Sequence, residues 1–106
     1  MKIWVDDIRQ APEGYVWCQS VNDAKLAIQI AEDDFDGRFG KPECVEIIDT
    51  DHDAGDYASD GGDYIKLLDW LEETGRSYPI RIHSMNPVGV ENMRRVIERN
   101  HWVEVR

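Results

Sequence analysis

The sequence predicts a single α/β domain of 106 residues, built on a parallel five-stranded sheet with about three helices. Short apolar runs of strand length alternate with amphipathic segments of helix length, which is the pattern of βαβ units. Several of these runs end directly in acidic or polar residues, and no linker or low-complexity segment interrupts the chain. Because strands that alternate with helices form right-handed crossovers, we expect helices on both faces of the sheet.

The first half of the chain is predicted to begin with two strands and a helix. Residues 2–5 and 15–18 are short apolar runs bounded by polar residues, as expected of buried strands. Residues 6–14 between them are too few, and too broken by proline and glycine, for an ordinary crossover helix. The first helix of a regular α/β plan is therefore missing or reduced here. Residues 20–33 combine a capping serine with an apolar stripe and predict a helix.

The second half completes the plan with three strands and two helices. Leucines at helical spacing mark the first of these helices, and an asparagine followed by proline provides the second with an N-cap and a suitable first residue. In chain order, the elements are a loop at 37–42, a central strand from Val45, a helix from Tyr64 to Gly75, a strand at 79–84, a helix from Asn86 to about Arg99 and a strand at 102–105.

The composition excludes several classes of protein. The formal net charge is −10, whereas binding along nucleic acid needs lysines and arginines to replace counterions, so we expect only local contacts with nucleic acid and no extended surface for it. The N-terminus reaches two aspartates before the apolar part of a signal peptide can form, and no apolar run approaches membrane-spanning length. We therefore expect a cytoplasmic protein without membrane contact. Cys18 and Cys44 lack metal-site spacing and are expected to be buried free thiols.

Acidic side chains follow two predicted strands at the points where these strands end. Asp6 and Asp7 follow the first strand, and Asp51 follows the central one. Ligands of open α/β sheets bind outside the carboxyl ends of the strands. Carboxylates that meet there repel one another unless one is protonated or a hard divalent cation, for which Mg²⁺ is the natural candidate, lies between them. The alternative, in which these aspartates merely cap turns, is less favoured because of their position at strand exits.

Histidine and hydrogen-bonding residues follow the strands at the same edge. His52 and His83 can exchange protons near neutral pH and form a candidate acid/base pair. Ser84, Asn86 and Arg9 are candidates for binding phosphate. Two alternatives stay open at this point: His83 packs against a covering helix with its nitrogens satisfied, and Arg9 pairs with the acidic cluster.

Three separated motifs resemble those of a known family. They are Val5-Asp6-Asp7-Ile8-Arg9, Asp51-His52-Asp53 with Gly55, and Ile82-His83-Ser84-Met85-Asn86-Pro87 with Glu91-Asn92-Met93. Together they resemble the cyclic-phosphate-processing receiver domains, a divergent group of CheY-like receivers, over nearly the whole chain. The resemblance implies a receiver-like (flavodoxin-like) fold, an acidic metal site, and the handling of cyclic phosphate ends of RNA or nucleotides, as in RNA repair.

The resemblance also assigns roles to particular residues. The acidic pair of a receiver falls on Asp6 and Asp7, the aspartate of the central strand on Asp51, and the hydroxyl of the fourth strand on Ser84. Phosphorelay receivers also use a lysine after the fifth strand, and this chain has no lysine after Lys66. That departure disfavours phosphorylation of the central aspartate.

Three hypotheses about function follow. The leading one is a magnesium-dependent phosphoesterase that acts on, or a domain that binds, a phosphate-containing nucleotide or RNA end. Its residues would be Asp6, Asp7 and Asp51 for the metal, His52, His83 and Asp51 for catalysis, and Arg9, Ser84 and Asn86 for phosphate. The alternatives are a non-catalytic pseudo-receiver that binds a ligand or a signalling partner, and a phosphoacceptor receiver at Asp51.

Overall fold

The computed structural model describes residues 1–33 and 45–106, in which strands and helices alternate as predicted. The strands are β1 (Lys2–Val5), β2 (Tyr15–Cys18), β3 (Ile47–Thr50), β4 (Ile80–Ile82) and β5 (Glu104–Val105). The helices are α1 (Val21–Asp33), α2 (Ile65–Glu73) and α3 (Pro87–Arg99), and a 3₁₀ helix (Gly55–Ser59) lies between β3 and α2. The predicted loop at 37–42 and Cys44 lie outside the described residues.

All five strands are parallel and lie in the order β2-β1-β3-β4-β5. The chain first steps from β1 outward to β2, and then crosses back over β1 to β3 and continues to the other edge. This is the flavodoxin-like order, which confirms the predicted fold class, and it reverses direction between β1 and β3. The crevice outside the carboxyl ends of these two strands is therefore the expected place for a ligand.

Local signals in the sequence set the helix ends. The Oγ of Ser20 accepts a hydrogen bond from the backbone N–H of Asp23 (3.0 Å), and the Oδ1 of Asn86 accepts one from the N–H of Gly89 (3.0 Å). Both predicted N-caps are thus confirmed. β1 and β2 have their predicted bounds, whereas β3 begins at Ile47 rather than Val45, and β4 and β5 are shorter than predicted. β4 begins only after Pro79, which has no N–H to donate to a neighbouring strand.

The hydrophobic core lies between one face of the sheet and the three α-helices. Ile3, Val5, Ile48 and Ile80 are fully buried and supply the sheet side of this core. The helices contribute side chains that are likewise buried, namely Val21, Ala24, Ile28 and Ala31 of α1, Leu67, Leu68 and Leu71 of α2, and Met93, Val96 and Ile97 of α3. The core therefore joins every described helix to the same side of the sheet.

The opposite face of the sheet carries no helix formed by the described residues 1–33 and 45–106, and in this sense we call it the helix-free face. The prediction of helices on both faces is therefore wrong for these residues. The step from β1 to β2 goes toward one edge of the sheet, whereas all later steps go toward the other edge. Because parallel connections are right-handed, the connection from β1 to β2 lies on the face opposite to the one that the three α-helices cover. That connection is the short link without a helix. Four paired positions of this face are Trp4, Trp17, Asp49 and Arg81. Trp17 is 39% exposed, although the sequence predicts a buried strand at 15–18.

Cys18 is buried and free, as predicted. Burial raises the pKa of its thiol to about 12, so the thiol is not a reactive nucleophile at neutral pH. Among the helices described, none has the length and apolar character needed to span a bilayer.

The buried Tyr64, at the start of α2, offers a test of the packing beneath the strand exits. Its ring is fully buried, and its hydroxyl donates a hydrogen bond to the backbone oxygen of Gln19 (2.7 Å). We expect Tyr64→Phe to lower the free energy of unfolding by about 1–2 kcal/mol, because the oxygen of Gln19 loses its donor in a buried place. Urea denaturation measures this change. Tyr57→Phe, at a ring that is 37% exposed, is the matched control and should stay within about 0.5 kcal/mol; equal losses would contradict the prediction.

Candidate metal and phosphate site

The backbone ladder of the sheet brings three strand exits side by side. Hydrogen bonds continue one residue beyond the strands: the N–H of Asp6 donates to the oxygen of Cys18 (3.2 Å), that of Asp51 to Val5 (2.9 Å) and that of His83 to Thr50 (2.9 Å). The parallel register thus places the residues that follow β1, β3 and β4 in one row at the carboxyl edge. The sequence prediction that these side chains share an edge agrees with this arrangement.

Several hydrogen bonds hold the side chain of Asp6 in this row. Its side chain is 1% exposed, and its Oδ1 accepts hydrogen bonds from the N–H groups of Ile8 (2.9 Å) and Arg9 (2.8 Å). Its Oδ2 lies 2.9 Å from the Nε2 of His83. Burial acts to raise the pKa of Asp6, but the hydrogen bonds from Arg9, Ile8 and His83 lower this pKa below its usual value. Asp6 is therefore an ionised carboxylate at neutral pH.

Asp6, Asp7 and Asp51 form an acidic cluster that could bind a divalent cation. Each offers one ligand oxygen, and these oxygens lie within 4.8 Å of one another. Burial is the main cause that raises the pKa of Asp7 above its usual value, and the negative charges of Asp6, Asp51 and Asp56 raise it further. Oxygen ligands that are crowded together in this way suit a hard cation such as Mg²⁺ or Mn²⁺. The residues present therefore fit a divalent ion.

A glycine makes room for this cluster. Gly55 begins the 3₁₀ helix with a φ of 54°, a left-handed conformation that glycine adopts without strain. A Cβ at this position would lie 2.3 Å from the Oδ2 of Asp7. The loop after β3 can therefore approach the acidic cluster closely only because residue 55 has no side chain.

His83 joins the cluster to the helix-free face of the sheet. Its Nε2 contacts Asp6, its Nδ1 lies 2.6 Å from the Oδ1 of Asp49, and its ring stacks on that of Trp4 with centroids 3.8 Å apart. The alternative with satisfied nitrogens thus describes the contacts of His83, although an indole ring replaces the expected helix. The predicted role of His83 in proton transfer stays a prediction.

His52 belongs to a second group of side chains beside the cluster. Its Nδ1 lies 2.7 Å from the Oδ1 of Asp53, and because an ionised carboxylate only accepts, Nδ1 carries the proton of this bond. The Nδ2 of Asn86 donates to the same carboxylate at 3.3 Å. The ring also packs against α3, where a Cβ at Gly89 would lie 2.4 Å from its Cγ. These contacts fix the ring and leave Nε2 as the nitrogen able to accept a proton.

The three predicted phosphate-binding residues lie around this edge in different states. Arg9 is half exposed and donates from Nη1 to the backbone oxygen of His83 (3.1 Å), while the same nitrogen lies 3.8 Å from the Oδ2 of Asp6. The Oγ of Ser84 accepts from the N–H of Asn86 (3.1 Å), which leaves its hydroxyl proton for a further acceptor. Asn86 is already used as the N-cap of α3 and as a partner of the Asp53 carboxylate.

Comparison with protein families identifies the family to which this fold and this acidic cluster belong. A family model described as "Cyclic-phosphate processing Receiver domain" matches residues 1–99. The chain belongs to this family. The searches among curated proteins and among solved structures gave no match. As a receiver domain of this kind, the chain keeps the acidic cluster at the strand exits that receivers use, and the family suspected from three motifs is confirmed over nearly the whole sequence.

Sequence reasoning assigned no role to several residues that build this receiver site. Asp49 bonds His83 and Trp4 stacks on it, while two glycines accommodate the side chains of the site. Asp49 had a visible signal, because an acidic residue inside a buried central strand must find a partner. Gly55 belongs to the second motif of the resemblance, but its close approach to Asp7, like that of Gly89 to His52, joins distant segments and cannot be derived from a single sequence.

Proposed function

We propose that this receiver domain binds a divalent cation through Asp6, Asp7 and Asp51 and hydrolyses the cyclic phosphate end of an RNA or nucleotide. The observation that supports the proposal most is the acidic cluster at the sheet edge, whose ligand oxygens lie within 4.8 Å of one another in a member of the cyclic-phosphate processing receiver family. Without a cation, such a cluster is unfavourable, because the three negative charges repel one another.

Mg²⁺ is the cation that we propose for this site. When bound, such an ion neutralises charge on phosphate oxygens and favours attack at phosphorus. The carboxylates of Asp7 and Asp51 come from the loops after β1 and β3, and the carboxylate of Asp6 is fixed by its three hydrogen bonds. The protein therefore supplies a set of oxygen ligands of which one is already held in place.

We assign proton transfer to His52. Its Nδ1 is held by Asp53, so Nε2 can take a proton from the attacking water as the new P–O bond forms. The bond from phosphorus to one ribose oxygen then breaks, and that oxygen takes up the proton that His52 releases, which leaves a phosphomonoester, a free hydroxyl and a neutral imidazole. His83 has both nitrogens bonded to carboxylates, which makes it the weaker candidate for this step.

Arg9 and Ser84 are the proposed contacts to the phosphate. Arg9 is anchored by the backbone of His83 and still has guanidinium N–H groups to donate, and Ser84 has a free hydroxyl proton. Ser84 also lines a cavity of about 600 Å³ beside α3, a volume typical of small-ligand sites, which could take the rest of a nucleotide. Asn86 would act indirectly, by orienting Asp53.

The decisive experiment supplies an oligoribonucleotide with a 2′,3′-cyclic phosphate end to the protein in the presence of Mg²⁺. We expect conversion to a phosphomonoester end, which chromatography and mass spectrometry detect, and loss of this conversion when EDTA replaces the metal. A linear 3′-phosphate oligonucleotide of the same sequence is the control and should remain unchanged. Binding without turnover at high protein concentration would instead support a non-catalytic pseudo-receiver and overturn the proposed hydrolysis.

Substitution of Gly89 tests the role of His52 and leaves both the imidazole of His52 and the carboxylate of Asp53 in the protein. Alanine is favoured over glycine inside a helix by about 1 kcal/mol, yet at residue 89 its Cβ would collide with the His52 ring. We expect Gly89→Ala to lower kcat/KM by about 10- to 100-fold, because the ring must leave its position. Divalent-ion affinity should be unchanged. Val88→Ala, at a neighbouring side chain that is 71% exposed, is the control, and full activity of Gly89→Ala would contradict the role of His52.

A further inference from the structure

Asp49 is a buried carboxylate that the proposed reaction does not use. It lies in the central strand β3 on the helix-free face and is 1% exposed. A buried charge costs free energy unless it is paired and hydrogen-bonded. Its two oxygens meet this condition: Oδ1 lies 2.6 Å from the Nδ1 of His83, and Oδ2 accepts from the Nη1 of Arg81 (3.0 Å).

The contact between Asp49 and His83 continues to the acidic cluster. The other ring nitrogen of His83, Nε2, lies 2.9 Å from the Oδ2 of Asp6. Since ionised carboxylates only accept hydrogen bonds, the imidazole donates from both nitrogens when both bonds form. Asp49, His83 and Asp6 thus make one hydrogen-bonded chain from the interior of the sheet to the proposed metal ligands.

The surroundings of His83 hold its imidazole ring in one orientation between Asp49 and Asp6. The imidazole and the indole ring of Trp4 are nearly parallel, at 7°, with centroids 3.8 Å apart. The Nε1 of Trp4 is itself fixed by donating to the backbone oxygen of Arg9 (2.9 Å). The His83 side chain is only 10% exposed, so little water competes for its nitrogens. The imidazole is therefore held in its plane by stacking and along its axis by two carboxylates.

We propose that Asp49, acting through His83, is a positioning residue that fixes the carboxylate of Asp6 for the divalent cation. Backbone N–H groups hold one oxygen of Asp6, and the imidazole holds the other, so the carboxylate cannot rotate. Partners of this kind, one step removed from a metal, typically change its affinity by about 10- to 100-fold when they are mutated. The inference rests on the proposed metal site and extends it to a residue inside the central strand β3, on the helix-free face of the sheet.

The first test measures the affinity for Mn²⁺ by electron paramagnetic resonance of the free ion. We expect Asp49→Asn to bind Mn²⁺ at least about 10-fold more weakly than the wild type, because a neutral amide orients the imidazole less firmly. Asp69→Asn on α2 removes the same charge from a partly exposed position and should stay within about 2-fold of the wild type. Amide NMR spectra establish that each variant is folded under the conditions of measurement.

A double-mutant cycle separates positioning from a simple loss of negative charge. His83→Gln keeps one N–H for Asp6 but cannot reach both carboxylates as the imidazole does. If Asp49 acts through His83, Asn at residue 49 should cost almost nothing further in the His83→Gln background. A direct electrostatic effect of Asp49 on the ion would persist in that background and overturn the proposal. If Asp49→Asn does not fold, we expect His83→Gln alone to lower Mn²⁺ affinity by about 10-fold. Unchanged Mn²⁺ affinity in His83→Gln would then overturn the proposal.

Two further outcomes distinguish this inference from the proposed function. Unchanged Mn²⁺ affinity in Asp49→Asn, together with strong loss in Asp51→Asn, would overturn the positioning role and leave the metal site in place. A wild-type protein that does not bind Mn²⁺ would overturn both. The ring N–H signals of His83 in proton–nitrogen spectra report on the bridge itself without metal: we expect two downfield protons in the wild type and the loss of one in Asp49→Asn.

Discussion

Replacement of Asp51 by asparagine should weaken Mg²⁺ binding by roughly 100-fold and abolish measurable turnover, while making the metal-free protein more stable. Asp51 supplies one of three carboxylates whose ligand oxygens lie within 4.8 Å of one another, and affinity at such sites depends strongly on the number of charged ligands. Asparagine keeps the shape of the side chain, and its Oδ1 can still accept the N–H of His52, which bonds to Asp51 at 2.7 Å. The substitution therefore changes charge far more than packing.

The gain in stability follows from the electrostatics of Asp7. Burial, and then the charges of Asp6, Asp51 and Asp56, raise the pKa of Asp7 in the folded state. A carboxyl group with a raised pKa destabilises the fold at pH values above that pKa, and this cost disappears as the pH falls through it. Removing the charge at residue 51 removes part of the cost. We expect metal-free Asp51→Asn to unfold at a temperature about 4 °C or more above that of the wild type at neutral pH. This difference between the two proteins should become smaller as the solution is made acidic.

Addition of Mg²⁺ should reverse this order of stability. A ligand that binds only the folded state raises its stability in proportion to the logarithm of its concentration above Kd, so at the same Mg²⁺ concentration the wild type gains more stability than Asp51→Asn. Differential scanning fluorimetry with and without Mg²⁺ measures both effects. Asp69→Asn is the matched control and should follow the wild type. An Asp51→Asn variant that is stabilised by Mg²⁺ as strongly as the wild type would contradict the proposed ligand set.

The strand exits were predictable because the relevant signals are local in sequence. A short apolar run that ends in Asp6, or in Asp51 after the central strand, is readable without knowledge of its neighbours, and so are the caps at Ser20 and Asn86. The order of parallel strands then brings the carboxyl ends together whatever the details of packing. The family resemblance depends on three motifs at strand ends, which are also local in sequence. The family match over residues 1–99 confirms it.

The helix-free face was not predictable from these signals. The face of the sheet that a connection covers depends on whether the next strand is added to the left or to the right. The hydrophobic periodicity of one sequence predicts strands and helices but not the order of the strands in the sheet. The pairing of Asp49 with His83 has the same cause, because it joins residues 34 positions apart through the register of two neighbouring strands. The apolar run at 15–18 predicts a buried strand, yet Trp17 is 39% exposed because β2 is an edge strand and Trp17 is on the helix-free face.

Replacement of His52 by glutamine should lower kcat by about 100- to 10,000-fold with little change in Mn²⁺ affinity. General acid–base catalysis by a positioned side chain contributes this much, and glutamine cannot take up a proton at neutral pH. The three carboxylates of the metal cluster remain in place, so ion binding and proton transfer are lost separately. Asp53→Asn should cost less, about 10-fold, because it loosens the orientation of the imidazole through Nδ1 without removing it.

The comparison of the histidines locates the proton-transferring group. His101 is exposed just beyond α3 with a left-handed φ of 57°, so His101→Asn, which tolerates this backbone, is the neutral control. His83→Gln should reduce Mn²⁺ affinity and turnover together, because it acts on Asp6, whereas His52→Gln should reduce turnover at saturating metal. If turnover at saturating metal instead survives in His52→Gln and is lost in His83→Gln, proton transfer belongs to His83, and the imidazole must then release one of its two carboxylates during the reaction.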